Sequence, residues 1–594
     1  MNKFTMKKNK RSNVIIIIFL FLIINLSCAR VIHRPRFYFG PGEARWVKKT
    51  LEKMTLEEKI GQLVACRYSG YFKNRDSEYI EELESLIAKF KIGGMIIRGG
   101  NVYETAYLTN SLQEMAKVPL LIASDFERGA GNQISGATEF PPLMAMGAVG
   151  SEESAYLMGK ITALEGRAMG IHMTYAPVVD VNINPENPII NTRSFGEDPE
   201  QVSRFARAYI RGCQDNGLIA TAKHFPGHGD THLDSHSLLP TINVSRKRLE
   251  RVELYPFKQA IQAGVQAIMT AHLHLPSLDP TPNVPATLSP VITTELLRKE
   301  LGFKGIIVTD AMGMGGITTL YSPEEAALKA IQAGVDILLL PPEPEQVIDA
   351  LTQAVSSGQI SEKRIDSSVK RILEAKARLG LHKKRLVDVN SLDKVIASRE
   401  HLQHAFNMFK DSITLVKNGG EILPLPETCE RLAVFSLSSD LGDYFAGKTF
   451  IREIEKICPE LMSFYAERFT GDEFIQEGFE IAKEVDYVVF ALFSSVQAWK
   501  GSVDLEQRHI QLVRDVAEGC SSVVVVSFGS PYFLRHFPEV DSYLCAYRST
   551  PQAQRAVVKA LFGEIDIKGK LPVSFPGLFP LGHGLFLPKK IENQ

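Results

Sequence analysis

No charge of either sign predominates in this chain: 67 Lys and Arg stand against 68 Asp and Glu, a formal net charge of −1. That balance gives no reason to expect nucleic acid or a strongly charged partner. Cysteine is sparse and unpatterned. The seven residues Cys28, Cys66, Cys213, Cys429, Cys458, Cys520 and Cys545 contain no CxxC pair. A zinc ribbon or disulfide scaffold is therefore not expected, and an isolated buried thiol is the expectation for each. Internal repeats and low-complexity tracts are absent, as is any amphipathic membrane helix beyond the N-terminal segment. What remains, 45% hydrophobic and 23% charged over 594 residues, is ordinary for a globular enzyme with several domains or one large domain plus a second.

The first residues carry a targeting pattern. Lys7, Lys8, Lys10 and Arg11 form a basic start, and Val14 to Leu26 is almost wholly apolar, which suits an export signal better than a spanning helix. Ser27-Cys28 closes it as a bacterial lipoprotein signal does, although Asn25 stands where such signals carry an aliphatic residue. Residues 1–28 are thus expected to be an export signal: lipidated at Cys28, cleaved, or kept as an anchor. Each outcome places the body outside the cytoplasm, in the periplasm or cell envelope, with membrane contact only through this segment or its lipid.

From Trp46 the pattern turns helical, and Thr55-Leu56-Glu57-Glu58 is a capping box. Short apolar runs follow at Leu63 to Cys66, Gly94 to Arg98, Leu120 to Ser124, His172 to Ala176, Leu218 to Ala222, Ala267 to Ala271, Gly305 to Thr309 and Asp336 to Leu340. Helix-period segments such as Tyr79 to Phe90, Ser154 to Met169, Gln201 to Asn216 and Pro323 to Ala333 separate them. Buried, non-alternating strands that alternate with helices mean a parallel sheet, and about eight such units mean a (β/α)8 barrel, here over 40–384. A doubly wound sheet would need fewer strands and a Gly-rich phosphate fingerprint after the first, and the sequence has neither. A charged stretch over 385–401 reads as a linker. A smaller α/β sandwich is expected over 402–590, with Ile413 to Val416, Leu432 to Phe435, Tyr487 to Leu492 and Val523 to Phe528 among its strands.

Polar residues gather just past the strand ends: Asp125 and Glu127, Asp180, Lys223 and His224, His272 and His274, and Asp310. In a barrel those positions form the catalytic face. The densest is the run from Lys223 to His236, Lys-His-Phe-Pro-Gly-His-Gly-Asp-Thr-His-Leu-Asp-Ser-His, whose glycines and proline exclude regular structure across its middle and make it pliable. A loop of that length rich in proton carriers points to catalysis. His224, His228, Asp230, His232, Asp234 and His236 also raise a metal site, but their spacing fits no HExxH-type motif, so neither metal nor cofactor is expected.

Several stretches together resemble family 3 glycoside hydrolases, in particular their two-domain bacterial β-N-acetylglucosaminidases. They are Met54 to Leu63, Asp125-Phe126-Glu127-Arg128-Gly129, Asn191-Thr192-Arg193-Ser194-Phe195-Gly196, Lys223 to His236, Val308-Thr309-Asp310-Ala311-Met312 and Lys570 to Pro576. The resemblance implies a retaining exo-β-N-acetylglucosaminidase acting on carbohydrate that contains N-acetylglucosamine, such as cell-wall (peptidoglycan) fragments. It makes Asp310 the nucleophile, His236 the acid/base, and Asp234 the group that orients His236. Asp125, Arg193, Lys223 and His224 become sugar contacts in one subsite. Retention needs a nucleophile on one face of the sugar and a proton donor by the leaving oxygen, and an imidazole with an ordinary pKa of about 6.5 suits both halves of that cycle. A carboxylate on its other nitrogen would fix the tautomer.

One departure follows Asp125-Phe126-Glu127. There the single-domain enzymes of this branch continue with two glycines and an Arg-rich stretch, while this chain has Arg128-Gly129-Ala130-Gly131-Asn132-Gln133. A basic contact to the substrate is missing or comes from Arg128. Three alternatives stay open: a β-glucosidase of the same family, a phosphorolytic glycosidase whose neutral His repels phosphate less than a carboxylate would, and a catalytically dead carbohydrate-binding lipoprotein.

Overall fold

The computed structural model of the protein describes residues 39–74, 76–426, 431–440, 446–520 and 522–591. The segment read as an export signal, with Cys28, lies outside them. Among the described residues no helix is long and apolar enough to cross a membrane.

The capping box forms as its residues dictate: Thr55 Oγ1 accepts from the Glu58 amide, and Glu58 returns a carboxylate to the Thr55 amide, opening the helix Leu56–Gly61. The chain then enters the barrel. Its strands are β1 (Val64–Ser69), β2 (Gly94–Arg98), β3 (Leu121–Ser124), β4 (Met173–Thr174), β5 (Ile219–Phe225), β6 (Ala267–Thr270), β7 (Ile306–Thr309) and β8 (Leu338–Leu339). All pair in parallel in the order β7-β6-β5-β4-β3-β2-β1-β8. The ring closes through the bridge Val308↔Ile337 and the bonds from the Asp336 and Ile337 amides to the Ile307 carbonyl. β4 and β8 keep only two residues each of the five-residue runs read for them, because the flanking residues bond across irregular backbone rather than in a ladder. β5 runs longer than read. It carries Lys223, His224 and Phe225 into the sheet, all buried.

The segment 385–401 is charged but not loose. Arg385 donates to the Gln113 and Ala116 carbonyls, Val387 exchanges two bonds with the Asn110 amide, and the Ala397 N–H reaches Glu165. A second sheet follows, with β9 (Thr414–Asn418), β10 (Leu432–Ser438), β11 (Met462–Ala466), β12 (Tyr487–Phe493), β13 (Val523–Ser527) and β14 (Ser542–Cys545). Its order is β11-β10-β12-β13-β14-β9, parallel except for the antiparallel β14–β9 pair. β11 and β14 were not among the runs read as strands. β11 has exposed Met462 and Ser463 and sits at the sheet edge, which removes the continuous apolar signal. Apolar clusters cover both faces of this sheet, as a parallel sheet requires.

The two domains share packing. Met144, Ala145 and Ala148 of the barrel helix Leu143–Val149 belong to the second domain's core. Asn182 Nδ2 donates to the Tyr532 hydroxyl at 3.0 Å, and the Ser574 amide and hydroxyl both reach Glu197 Oε2 at 2.9 Å. Gly147 permits this approach, since a Cβ there would stand 2.8 Å from the Pro572 side chain of the second domain. Cysteine needs one correction. Cys66, Cys213, Cys520 and Cys545 are free, but Cys458 is disulfide-bonded rather than an isolated thiol.

Candidate active site

Asp310 follows β7 directly. Its amide donates to the Thr270 carbonyl at the end of β6, and its Oδ1 accepts from the Ala311 amide at 2.8 Å. Burial works against the carboxylate. The neighbouring His224, His272 and Lys223, with the Ala311 amide, outweigh it and hold the Asp310 pKa down at about 2. His272 also braces this turn, with Nε2 at 3.0 Å from the Ala311 carbonyl and Nδ1 at 3.0 Å from Thr287 Oγ1.

The loop after β5 is laced rather than pliable. Its hub is Asp180, fully buried, which accepts from the His224 and His228 amides and sits 2.7 Å from His224 Nδ1. His228 Nε2 bonds Ser235 Oγ at 2.8 Å, Asn187 holds the His228 carbonyl, and Asn184 holds that of Thr231. Asp230 pairs with Arg248 at 3.2 Å. Gly229 lies against Val181, whose carbonyl oxygen would be 1.8 Å from any Cβ. Those bonds take up the freedom that the loop's glycines suggest.

At the end of this loop Asp234 Oδ1 accepts from the His236 amide at 2.9 Å and lies 2.7 Å from its Nδ1, leaving Nε2 for other partners. Burial opposes the Asp234 charge, but the bonds from His236 and Trp499 keep its pKa below the ordinary value. The loop is also fastened to the turn after β7, since the Gly315 and Gly316 amides donate to the His236 and Ser235 carbonyls.

A second group of charges stands beside it. Arg193 grips Glu127 with two bonds at 2.9 and 2.7 Å, Lys223 Nζ reaches the same carboxylate at 2.7 Å, and Asp125 lies between Lys223 at 3.3 Å and Arg98 at 3.4 Å. His224 Nε2 is 3.4 Å from Arg193 Nη2. Burial would raise the Glu127 pKa, yet the two cations hold it well below the ordinary value. Burial likewise opposes the Lys223 charge, and Glu127 and Asp125 raise its pKa regardless.

Asp310, His236, Asp125, Arg193, Lys223 and His224 all line one cavity of about 420 Å³. Asp234 is not on its wall and stands behind His236. Ser495, Val496, Ala498 and Trp499 after β12, Phe528 and Gly529 after β13, and Tyr547 and Arg548 after β14 complete the lining. The cavity therefore lies between the carboxyl ends of two sets of parallel strands, where α/β folds place their sites. Among the described residues no group of three His, Cys, Asp or Glu side chains could hold a metal ion.

Two family models cover this architecture, the Glycosyl hydrolase family 3 N terminal domain over residues 55–375 and the family 3 C-terminal domain over 413–579. The chain belongs to glycosyl hydrolase family 3. Among its family 3 relatives, Beta-hexosaminidase A of Pseudoalteromonas piscicida is 36% identical over 552 residues, covering 83% of this chain and 91% of its own. The structure of a family 3 beta-N-acetylglucosaminidase from Paenibacillus sp. str. FPU-7 is 33% identical with a TM-score of 0.78, over 88% of this chain and 99% of its own. A beta-glucoside phosphorylase bound to 2FGlc superposes with a TM-score of 0.81 at 29% identity, over 90% and 97%.

Three residues of this family 3 site have no assigned role in the sequence. Glu127 and Asp180, the latter buried behind the cavity wall, were visible as polar residues past strand ends, but not as the anchors of Arg193, Lys223 and His224. Arg548 lies in the second domain, as does Trp499, the residue that the sequence alone marks as able to reach over the barrel.

Proposed function

We propose that the protein is a retaining exo-β-N-acetylglucosaminidase that removes terminal N-acetylhexosamine from glycans such as cell-wall fragments. The observation that carries this reading is that His236, held from behind by Asp234, lines the same cavity as Asp310. In the first step an Asp310 carboxylate oxygen attacks the anomeric carbon, the bond to the aglycone oxygen breaks, and that oxygen takes a proton from His236. In the second, water gives a proton to His236 and attacks the same carbon, releasing Asp310. An Asp310 pKa of about 2 keeps the nucleophile ionised throughout neutral pH. Asp234 fixes the imidazole tautomer.

Asp125 suits two neighbouring sugar hydroxyls because a carboxylate accepts at both oxygens. Lys223, His224 and Arg193 are donors in the same subsite, preset by Glu127 and Asp180 so that little reorganisation accompanies binding. For location, the basic and apolar N-terminus ending at Cys28 supports export to the envelope, and the disulfide at Cys458 fits an oxidising compartment.

Kinetics on p-nitrophenyl N-acetyl-β-glucosaminide and on the matching glucoside test the substrate class. The expected result is a kcat/KM at least ~100-fold higher for the acetamido sugar, a difference of about 2.7 kcal/mol in transition-state binding. Equal rates, or a preference for glucoside, would overturn the reading.

A further inference from the structure

The charges on the cavity wall do not balance. Arg67, Arg98, Arg128, Arg193, Lys223 and Arg548 face Asp125, Glu127 and Asp310. Glu127 engages Arg193 and Lys223, and Asp125 engages Arg98 as well as Lys223. Arg128 and Arg548 come from different domains, one after β3 and one after β14. Among the described residues Arg128 has a single ion pair, from Nε to Glu139 at 3.4 Å. Arg548 has no ion pair among the described residues, and its Nε is buried without a hydrogen-bond partner.

Among the described residues the carboxylates that act on Arg548 are Glu139 and Asp440. Glu139 faces Arg128, and Asp440 is occupied by Lys500 Nζ at 2.6 Å and by the amide and hydroxyl of Ser495. Burial, reinforced by the Arg128 charge, pushes the Arg548 guanidinium down to about 10, so it is still a cation at neutral pH. A buried cation without a counter-charge is unfavourable unless something binds there. The planar fork of a guanidinium matches an oxyanion, and two such forks on one wall can hold it from both sides.

We propose that Arg128 and Arg548 together form an oxyanion subsite completed across the domain boundary, beside the sugar subsite of Asp125 and Lys223. This rests on reading the cavity as a hexosaminide site. The oxyanion has two possible sources, a carboxylate on the leaving group or inorganic phosphate as acceptor.

The test uses the full chain and its Arg548→Gln and Arg128→Gln variants. One arm compares 4-carboxyphenyl with 4-carbamoylphenyl N-acetyl-β-glucosaminide, whose leaving groups differ in charge. The other titrates inorganic phosphate calorimetrically and identifies the sugar product formed in its presence. If the oxyanion sits on the leaving group, wild type favours the carboxylate substrate and either variant lowers that ratio about tenfold, the scale of one charge-assisted contact. If it is the acceptor, wild type releases N-acetylglucosamine 1-phosphate, and phosphate binds about tenfold more weakly to either variant. Should Arg548→Gln fail to fold, Arg128→Gln reads the same quantities. No change in either arm overturns the subsite. A wild type that cleaves no hexosaminide yet binds phosphate through Arg548 overturns the hexosaminidase reading and leaves the subsite standing.

Discussion

The backbone N–H of Trp499, in the second domain, donates to Asp234 Oδ2 at 2.8 Å, while the other oxygen of that carboxylate holds His236. The Trp499 ring also meets the His236 imidazole edge to face, with centroids 5.6 Å apart. The proposed acid/base is thus fixed from both domains. Trp499 has a φ of +71°, a conformation at ease only for glycine. Trp499→Gly keeps the N–H and removes the ring, whereas Trp499→Pro removes both and cannot adopt that φ. Steady-state kinetics should show kcat/KM at least ~10-fold lower in the proline variant than in the glycine variant, the scale of one hydrogen bond to a charged group. Equal losses would mean that the N–H bond to Asp234 does nothing for turnover.

Asp234→Asn tests the pair from the other side. An amide can present the wrong group to Nδ1, so kcat/KM is expected to fall by ~10- to 100-fold. An unchanged kcat/KM would separate Asp234 from the orientation of His236.

His236→Gly should retain the fold, since the side chain is partly exposed and its backbone bonds to Asp234 and Gly315 persist. Turnover is expected to fall by ~10²- to 10⁴-fold, the range of general acid–base catalysis, and to recover in part with a small external acid or anion. Full activity without rescue would remove His236 from the mechanism.

Glu127→Gln should act on stability as well as on the site. It leaves Arg193 and Lys223 facing a neutral amide in a buried cluster, a loss of about 3–5 kcal/mol. Both Glu127 and Asp310 have folded pKa values below their ordinary ones. Their contribution is therefore complete above the ordinary carboxylate range and is lost as pH falls through it towards the folded values. Thermal unfolding of the wild type should weaken below about pH 5. In Glu127→Gln the Tm should start lower and depend less on acid, and parallel curves would contradict this assignment.

The barrel was legible because eight apolar runs and their intervening helices obey one period each, and because Asp125 and Asp310 directly follow strands and Lys223 lies near the end of one. The resemblance to the family marked the Asp234–His236 pair, two residues apart in one loop. Contacts between distant segments were not legible. Glu127 joins Arg193 and Lys223 across 66 and 96 positions, and Trp499 joins Asp234 across 265. The first two depend on how distant strands and loops of the barrel meet, and the third on how the two domains dock, which no single-strand pattern encodes. The edge strand β11 was missed for a related reason, since its solvent-facing residues remove the apolar run that marks buried strands.

In the proposed mechanism Asp310 forms a covalent bond to the sugar. Incubation with a 5-fluoro N-acetylglucosaminyl fluoride, followed by proteolysis and mass spectrometry, tests this directly. A single glycosyl adduct is expected on the peptide that contains Asp310, absent from Asp310→Asn. An adduct on another carboxylate would contradict it, as would continued turnover with no adduct and full activity in Asp310→Asn.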